Sequence, residues 1–112
     1  MRLPRKWQAV LGTIIMSIIM IVSWVLFAPT HFGGKAAYVV LSGNSMQPEF
    51  ALGDLVITHK QANYAIGDAL AYQHPTIGYV FHRIVNKDDE GNFILQGDNN
   101  GWEDSYHPSE DD

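Results

Sequence analysis

The chain contains no cysteine, and from residue 36 onward it has very few basic residues. Without cysteine, no disulfide can stabilise a small domain and no thiolate can act as nucleophile or metal ligand. Residues 36–112 contain twelve acidic and three basic residues, and residues 88–112 contain neither lysine nor arginine. Because phosphate binding needs a basic surface, this balance argues against a nucleic acid partner. A glycine-rich phosphate loop is also absent, and the acidic C-terminal part is typical of a solvated surface.

Charge is also missing from the N-terminal part, between Trp7 and Gly34. Residues 7–28 form an apolar run of 22 residues, and about 20 residues of helix suffice to cross a hydrocarbon core roughly 30 Å thick. Basic residues precede this run at positions 2, 5 and 6, and only Lys35 lies close on the far side. The positive-inside bias therefore predicts a cytoplasmic N-terminus and an extracytoplasmic remainder.

A cleaved secretory signal is the alternative interpretation of the apolar run. The run is longer than the apolar region of about 7–15 residues found in such signals. It ends with Leu26-Phe27-Ala28 before Pro29, a poor match to a small-residue cleavage site. A soluble core helix would need a polar face, and the run offers only a few mild polar residues. We therefore expect a retained membrane anchor.

The apolar run and the charge distribution predict that the chain has two parts. Residues 1–34 are predicted to hold the basic N-terminus, the anchor and the Pro/Gly-containing juncture, and residues 35–112 an extracytoplasmic β domain. About 77 residues are near the lower limit for a self-sufficient core. We expect this domain to depend on the membrane, a partner or a further segment.

Short β-prone runs separated by turn residues occupy the second part, and no stretch there shows helical periodicity. The sequence predicts a mainly β domain, a small bent antiparallel sheet or partial barrel. The predicted strands are Ala37–Leu41, Leu55–His59, Ala69–Gln73, Tyr79–Val85 and Asn92–Gln96.

Ser45 follows the first predicted strand and the polar segment Ser42-Gly43-Asn44. A serine beside a glycine is ordinarily a turn or cap residue. At a strand end, however, flexible backbone could present amide N–H groups to an oxyanion. Ser45 is thus a candidate nucleophile if a base lies within reach.

His82 is the histidine that best fits a general base. Strand alternation places Val80, His82 and Ile84 on one face, where burial between apolar side chains disfavours the charged imidazole. A core histidine bonded to a backbone carbonyl is the structural alternative. The other four histidines lack this setting and are expected to be surface or juxtamembrane residues.

Asp98 and Asp104 are the candidate partners of an imidazole. Each is first of all a turn or surface residue, since aspartate bonds its own backbone in turns. A buried carboxylate beside His82 would fix its tautomer and stabilise the imidazolium formed on proton transfer. The residues alone do not rank the two aspartates. Together with His107, His82 and these aspartates could form a zinc site, but their spacing matches no common metal motif.

Several segments, in this order, resemble the type I signal peptidases, membrane-bound serine endopeptidases that remove signal peptides from exported proteins. The resemblance covers nearly the whole chain. It rests on the anchor, Ser42-Gly43-Asn44-Ser45-Met46-Gln47-Pro48 with Leu52-Gly53-Asp54, Ile66-Gly67-Asp68-Ala69-Leu70-Ala71-Tyr72, Phe81-His82-Arg83-Ile84-Val85, and Gly97-Asp98-Asn99-Asn100 with Asp104. Histidine at position 82, where most bacterial members have lysine, and the short interval to Asp98 resemble the compact Ser-His group of endoplasmic-reticulum, archaeal and some Gram-positive enzymes.

By position, the resemblance implies Ser45 as nucleophile, His82 as general base and Asp104 as the better candidate to orient the imidazole. Asp98 would support the site through its turn. The residue two before Ser45 is Gly43 rather than the serine of many members, so the Ser45 amide is the expected oxyanion donor.

The resemblance also implies how substrate binds. A signal peptide would lie as an extended strand against the edge near Ala37–Leu41, with shallow pockets for small side chains at −3 and −1. The implied substrate-binding residues are Val39, Val40, Leu41 and Met46. No cofactor or metal is implied.

The implied partners are signal peptides and the lipid bilayer, with a prokaryotic plasma membrane favoured by the Gly-Asn-Ser-Met form. An inactive relative that binds signal peptides, or a subunit of a processing complex, is the alternative. Relatives usually continue beyond the position of Asp112 with at least one more strand, which would leave the sheet of this chain incomplete.

Overall fold

The computed structural model describes residues 1–112 and divides into two compact units, Met1–Ala36 and Ala37–Asp112. The first unit contains helix α1 (Arg5–Phe27) and a 3-10 turn at Thr30–Phe32. No residue of α1 is buried, and the helix is long and apolar enough to cross a membrane. It ends where Ala28 precedes Pro29, because a proline ring disfavours the helical conformation of the residue before it.

Five strands follow and confirm the prediction of a mainly β fold. β1 (Ala36–Val40) and β2 (Leu55–His59) form a two-stranded sheet, while β3 (Ala69–His74), β4 (Gly78–Lys87) and β5 (Phe93–Gln96) form a three-stranded antiparallel sheet in that order. The second unit thus contains two small sheets rather than one bent sheet.

Strand β4 is two residues longer at its C-terminal end than the sequence predicts. Its pairing with β5 shifts register between Ile84 and Asn86 and then continues to Lys87 opposite Phe93. This irregularity absorbs Val85 and lets the polar end of the strand remain paired. The alternation predicted for Val80, His82 and Ile84 lies before the shift and is therefore undisturbed.

The apolar core lies on both faces of the β3–β4 pair. The first cluster consists of Val39, Leu41, Met46 and Phe81, so it joins β1 and the loop after it to one face of β4. The second cluster consists of Tyr72, Ile84, Phe93 and Leu95 on the other face. The two buried residues of β4, Phe81 and Ile84, therefore lie on opposite faces of the strand, one in each cluster.

The register of the three-stranded sheet leaves one flank of His82 without a strand. On one side, Leu70 of β3 pairs with His82. On the other side, β5 ends at Gln96, opposite Arg83. The turn that follows β5, Gly97–Asn100, contains the hydrogen bond from the Asn100 amide to the Gly97 carbonyl. This turn, rather than a strand, is what meets the loop that carries Ser45.

Candidate active site

The loop carrying Ser45 is held in place by the Gly97–Asn100 turn. The amide of Asn99 donates to the carbonyl of Ser45 at 2.8 Å, and its side-chain amide donates to the carbonyl of Asn44 at 3.1 Å. The amide of Asp98 contacts the sulfur of Met46 at 3.4 Å, and Met46 is itself 2% exposed in the first core cluster. Ser45 is therefore fixed on both sides, by backbone bonds and by a buried neighbour.

Gly97 permits this close approach. A Cβ at position 97 would lie 2.7 Å from the Ser45 carbonyl oxygen and 2.7 Å from the Asn100 side-chain nitrogen. Both distances are shorter than real Cβ contacts allow, so any larger residue would displace the nucleophile loop. The motif forms the turn predicted from the sequence, and this turn also holds the loop that carries Ser45.

His82 lies between Ser45 and Asp104. Its Nε2 is 3.0 Å from Ser45 Oγ, and its Nδ1 is 2.8 Å and 2.7 Å from the two carboxylate oxygens of Asp104. A carboxylate only accepts hydrogen bonds, so Nδ1 carries the proton and the lone pair of Nε2 faces the serine hydroxyl. The side chains of His82 and Asp104 are 13% and 10% exposed, which limits competition from solvent for these bonds.

Asp104 is held by two further hydrogen bonds. Its amide donates to the carbonyl of Leu95 at 2.7 Å, and its Oδ2 accepts the Tyr72 hydroxyl at 3.0 Å. Tyr72 is 3% exposed, and its burial, followed by the nearby Asp104 carboxylate, raises the pKa of the phenol well above its usual value. The phenol therefore remains a donor, and a continuous chain of hydrogen bonds runs from Tyr72 through Asp104 and His82 to Ser45.

Asp98 has a different partner. Arg83 donates to both of its carboxylate oxygens, from Nε at 2.8 Å and from Nη2 at 2.9 Å. These bonds from Arg83 are the main cause that lowers the pKa of the Asp98 carboxyl. The same guanidinium also donates to Glu49 at 2.9 Å and to the carbonyl of Gly67 at 2.8 Å. Of the two aspartates left open by the residues alone, the structure places Asp104 on His82 and Asp98 on Arg83.

The four residues named as substrate-binding lie close to this site but differ in exposure. Val39, Leu41 and Met46 point into the first core cluster, whereas Val40 is 64% exposed. Of the four, only Val40 therefore presents its side chain to solvent. Strand β1 pairs with β2 in a two-stranded sheet, and its first residue, Ala36, also forms a parallel bridge with Pro29.

The residues considered for a zinc site are not assembled into one. Both nitrogens of His82 are engaged, Asp98 binds Arg83, and His107 Nδ1 lies 3.0 Å from Asp88. No group of three or more metal-ligating side chains occurs in the structure. These contacts do not fit a metal-bound water as the nucleophile of this site.

Two residues of the site are not predicted by the sequence analysis. Tyr72 lies in an ordinary apolar strand, and only its pairing opposite Val80 brings its hydroxyl towards Asp104. Arg83 follows the candidate base directly, so strand alternation puts it on the opposite face, where it meets Asp98. A single charged residue next to His82 within an apolar strand was the available signal for Arg83. No feature of the sequence around Tyr72 indicates that it belongs to the site.

A donor for a developing oxyanion is also available. The amide N–H of Ser45 makes no hydrogen bond to another group of the chain, and Ser45 itself is half-buried. The arrangement therefore combines a hydroxyl, an acceptor nitrogen in contact with it, an oriented carboxylate and an unoccupied amide donor. These are the parts required for acyl transfer to a serine hydroxyl.

Comparison with known protein families matches residues 9–112 to the family described as Peptidase S24-like. The matched range begins within α1 and includes every strand and each residue of the site. No curated protein and no solved structure matches the chain significantly. The family match supports a serine peptidase-type domain, a coarser statement than the resemblance to type I signal peptidases.

Proposed function

The chain belongs to the Peptidase S24-like family, and we propose that it is a membrane-bound serine endopeptidase that removes signal peptides from exported preproteins. The observation that carries this proposal is the contact of Ser45 Oγ with His82 Nε2 at 3.0 Å, with Asp104 on the far side of the imidazole. A nucleophile, a base within hydrogen-bond reach and a third group that orients the base form the arrangement expected of covalent serine catalysis.

In the acylation step, Ser45 Oγ attacks the carbonyl carbon of the scissile peptide bond and its proton passes to His82 Nε2. The Asp104 carboxylate stabilises the imidazolium that forms, and the Ser45 amide donates to the oxyanion. When the tetrahedral intermediate collapses, the carbon–nitrogen bond breaks and His82 gives its proton to the departing amine. The acyl group is then an ester of Ser45.

In the deacylation step, a water molecule gives a proton to His82 Nε2 and its oxygen attacks the ester carbon. Collapse of this second intermediate breaks the bond to Ser45 Oγ, which takes the proton back from His82. A carboxylic acid leaves and the enzyme returns to its starting state. No cofactor enters either step.

The proposed substrate is a signal peptide bound as an extended strand near Ala37–Leu41, on the side of β1 opposite β2, with small residues at −3 and −1. Backbone hydrogen bonds to this edge would supply affinity, and the exposed Val40 would contact the chain beside the cleavage site. Helix α1 would hold the domain at the membrane, where cleavage sites of exported proteins emerge. We place the N-terminus in the cytoplasm and the β domain outside, most simply at a prokaryotic plasma membrane.

The test is cleavage of a preprotein with alanine at −3 and −1 by the detergent-solubilised full chain. We expect a single cut after the −1 residue, identified by the N-terminal sequence of the product, and its loss in Ser45→Ala. Ser42→Ala is the matched control, since that exposed serine makes no contact with His82. Signal peptide binding without cleavage by a folded wild-type protein would instead favour the inactive relative.

A further inference from the structure

A cavity of about 260 Å³ opens beside the His82–Asp104 pair and is not used by the chemistry described above. One wall comes from β3 and β4, with Tyr72, Val80 and His82, and the other from the segment with Trp102 and Asp104. Ile77, in the turn between β3 and β4, also lines it, and Ser45 does not. The cavity thus extends away from the nucleophile and begins at the base.

The apolar lining of this cavity is largely unburied. Ile77 is 70% exposed and Trp102 is 69% exposed, whereas the neighbouring Tyr72 is 3% exposed. Large apolar side chains that face a cavity beside reactive groups are typical of a ligand site, because a bound apolar group would remove them from water. Neither Ile77 nor Trp102 takes part in the two core clusters.

The two faces of β4 distinguish this cavity from the edge proposed for the signal peptide. Strand β1 packs through Val39 and Leu41 on the face of β4 that carries Phe81. The cavity lies on the opposite face, which carries Val80 and His82. A substrate whose acyl side follows β1 past Ser45 would therefore continue beyond His82 into the cavity. Because His82 gives its proton to the departing amine, that continuation is the leaving side.

From these observations we infer that the cavity binds the first residues after the scissile bond, with an apolar or aromatic side chain held between Ile77 and Trp102. The inference rests on the proposed endopeptidase function and adds a specificity site to it. From His82 to Gly78, β4 spans roughly 13 Å at about 3.3 Å per residue, which three or four extended residues would cover. The leaving segment, and not only the small residues at −3 and −1, would then contribute to substrate choice.

The charges of the residues that line the cavity also indicate which substrate side chains it would disfavour. No lysine or arginine lines the cavity, and the Glu103 and Asp104 carboxylates both do. His74 and His82 line it as well, so an acidic side chain after the scissile bond would meet two carboxylates and no permanently charged cation. A leucine or phenylalanine side chain would be removed from water without desolvating a charge, so apolar residues are the expected occupants.

The test uses the detergent-solubilised full chain and peptides that are identical before the scissile bond. One leucine is moved through the first four positions of an otherwise alanine leaving segment, with asparagine at the same positions as a polar residue of similar size. We expect kcat/KM to be roughly fivefold to tenfold higher for leucine at one of these positions. In Trp102→Ala and Ile77→Ala, the ratio of kcat/KM for the leucine peptide to that for the asparagine peptide should be close to one. Ile66→Ala is the matched control, because Ile66 is 61% exposed and does not line the cavity.

A second measurement needs no turnover. Peptides that contain only the leaving segment, acetylated at the N-terminus, are titrated onto the Ser45→Ala protein. Stronger binding of the leucine peptide than of the asparagine peptide, lost in Trp102→Ala, supports the cavity even if the wild-type protein cleaves nothing, in which case only the proposed function fails. Cleavage without any leucine preference, or a preference unchanged by Trp102→Ala and Ile77→Ala, would overturn the inference.

Discussion

At the scale of single residues, the hydrogen bond from the Tyr72 hydroxyl helps to orient the Asp104 carboxylate. Removing this bond would change the orientation of the carboxylate but leave its charge in place. Replacing Tyr72 by Phe keeps the buried ring but removes the donor at 3.0 Å from Oδ2. We expect kcat/KM to fall roughly threefold to tenfold, the usual contribution of one hydrogen bond, because Asp104 would hold His82 less firmly. Steady-state kinetics on one peptide would measure the fall.

Tyr79→Phe is the control for this substitution, since Tyr79 is 43% exposed and lies on the other face of β4. An unchanged kcat/KM in Tyr72→Phe, or an equal fall in Tyr79→Phe, would remove Tyr72 from the catalytic arrangement.

Arg83 and Asp98 give a prediction about pH. Because Arg83 lowers the pKa of the Asp98 carboxyl, the bond stabilises the fold above the ordinary aspartate pKa of about 3.9. That stability is lost as the pH falls through the lowered pKa of the folded state. Arg83→Met should therefore lower the free energy of unfolding at pH 7 by about 1 kcal/mol, allowing for solvent screening of these partly exposed groups.

The measurement is denaturant unfolding of wild type and Arg83→Met at pH 7 and at successively lower pH. The difference between them should narrow below about pH 4, where Asp98 of the unfolded chain begins to take up a proton, and should disappear once the pH falls below the lowered pKa of the folded state. Glu49→Gln is the comparison, because the Glu49 side chain is 64% exposed and should contribute little. A difference that stays constant over the whole pH range would mean that the pair contributes nothing through its charges.

Residue types in the sequence were sufficient to nominate Ser45, His82 and the two aspartates. They did not distinguish Asp98 from Asp104, since both lie in the polar segment that follows β5. The distinction depends on the backbone bond from Asp104 to Leu95, a contact that no local pattern encodes. Tyr72 was missed for the same reason, because its partner lies 32 residues away.

At the scale of elements, the Gly97–Asn100 turn supports the nucleophile loop. Gly97→Ala places a methyl group against the Ser45 carbonyl, so the loop or the turn must move. Overpacking of this kind costs about 1–3 kcal/mol, and here it would also misplace Ser45 relative to His82. We expect a lower Tm and a loss of activity larger than the loss of stability alone explains.

Gly101 provides a control within the same segment, because a Cβ added there meets nothing within 4 Å. Thermal unfolding and kcat/KM of Gly97→Ala and Gly101→Ala would be compared side by side. Equal behaviour of the two variants would show that the turn does not clamp the serine.

Strand positions were largely readable from sequence, since β-prone runs and turn residues alternate along the chain. The prediction for β2, Leu55–His59, coincides with the strand. Two of the other four predictions differ from the strand by one residue at one end, and two differ by one or two residues at both ends. The separation of the five strands into two sheets could not be predicted from the sequence. It depends on which strand edges meet, and the core clusters that decide this join residues far apart in sequence.

At the scale of the whole molecule, α1 predicts that the chain stays in the membrane. Its 23 residues include no acidic residue, and none is buried. We expect the full chain to remain in the membrane pellet after extraction with alkaline carbonate. A double variant, Ile14→Lys with Ile18→Lys, should move to the supernatant, because charged residues at the centre of a spanning helix are strongly disfavoured.

Recovery of a shorter, extractable chain that lacks α1 would instead identify the helix as a cleaved signal. The division of the chain at residue 34 and the orientation across the membrane remain predictions, and the same fractions treated with protease from either side would test them.

The central claim is that Ser45 and His82 act as one catalytic unit. It is tested most directly by comparing kcat/KM of wild type, Ser45→Ala, His82→Ala and the double variant on one preprotein substrate, with folding checked by circular dichroism. We predict that each single variant loses roughly 10⁴-fold or more and that the double variant is no worse than either single one, because residues acting as a unit are not additive. Substantial turnover by a folded Ser45→Ala protein, or independent additive losses, would contradict the account.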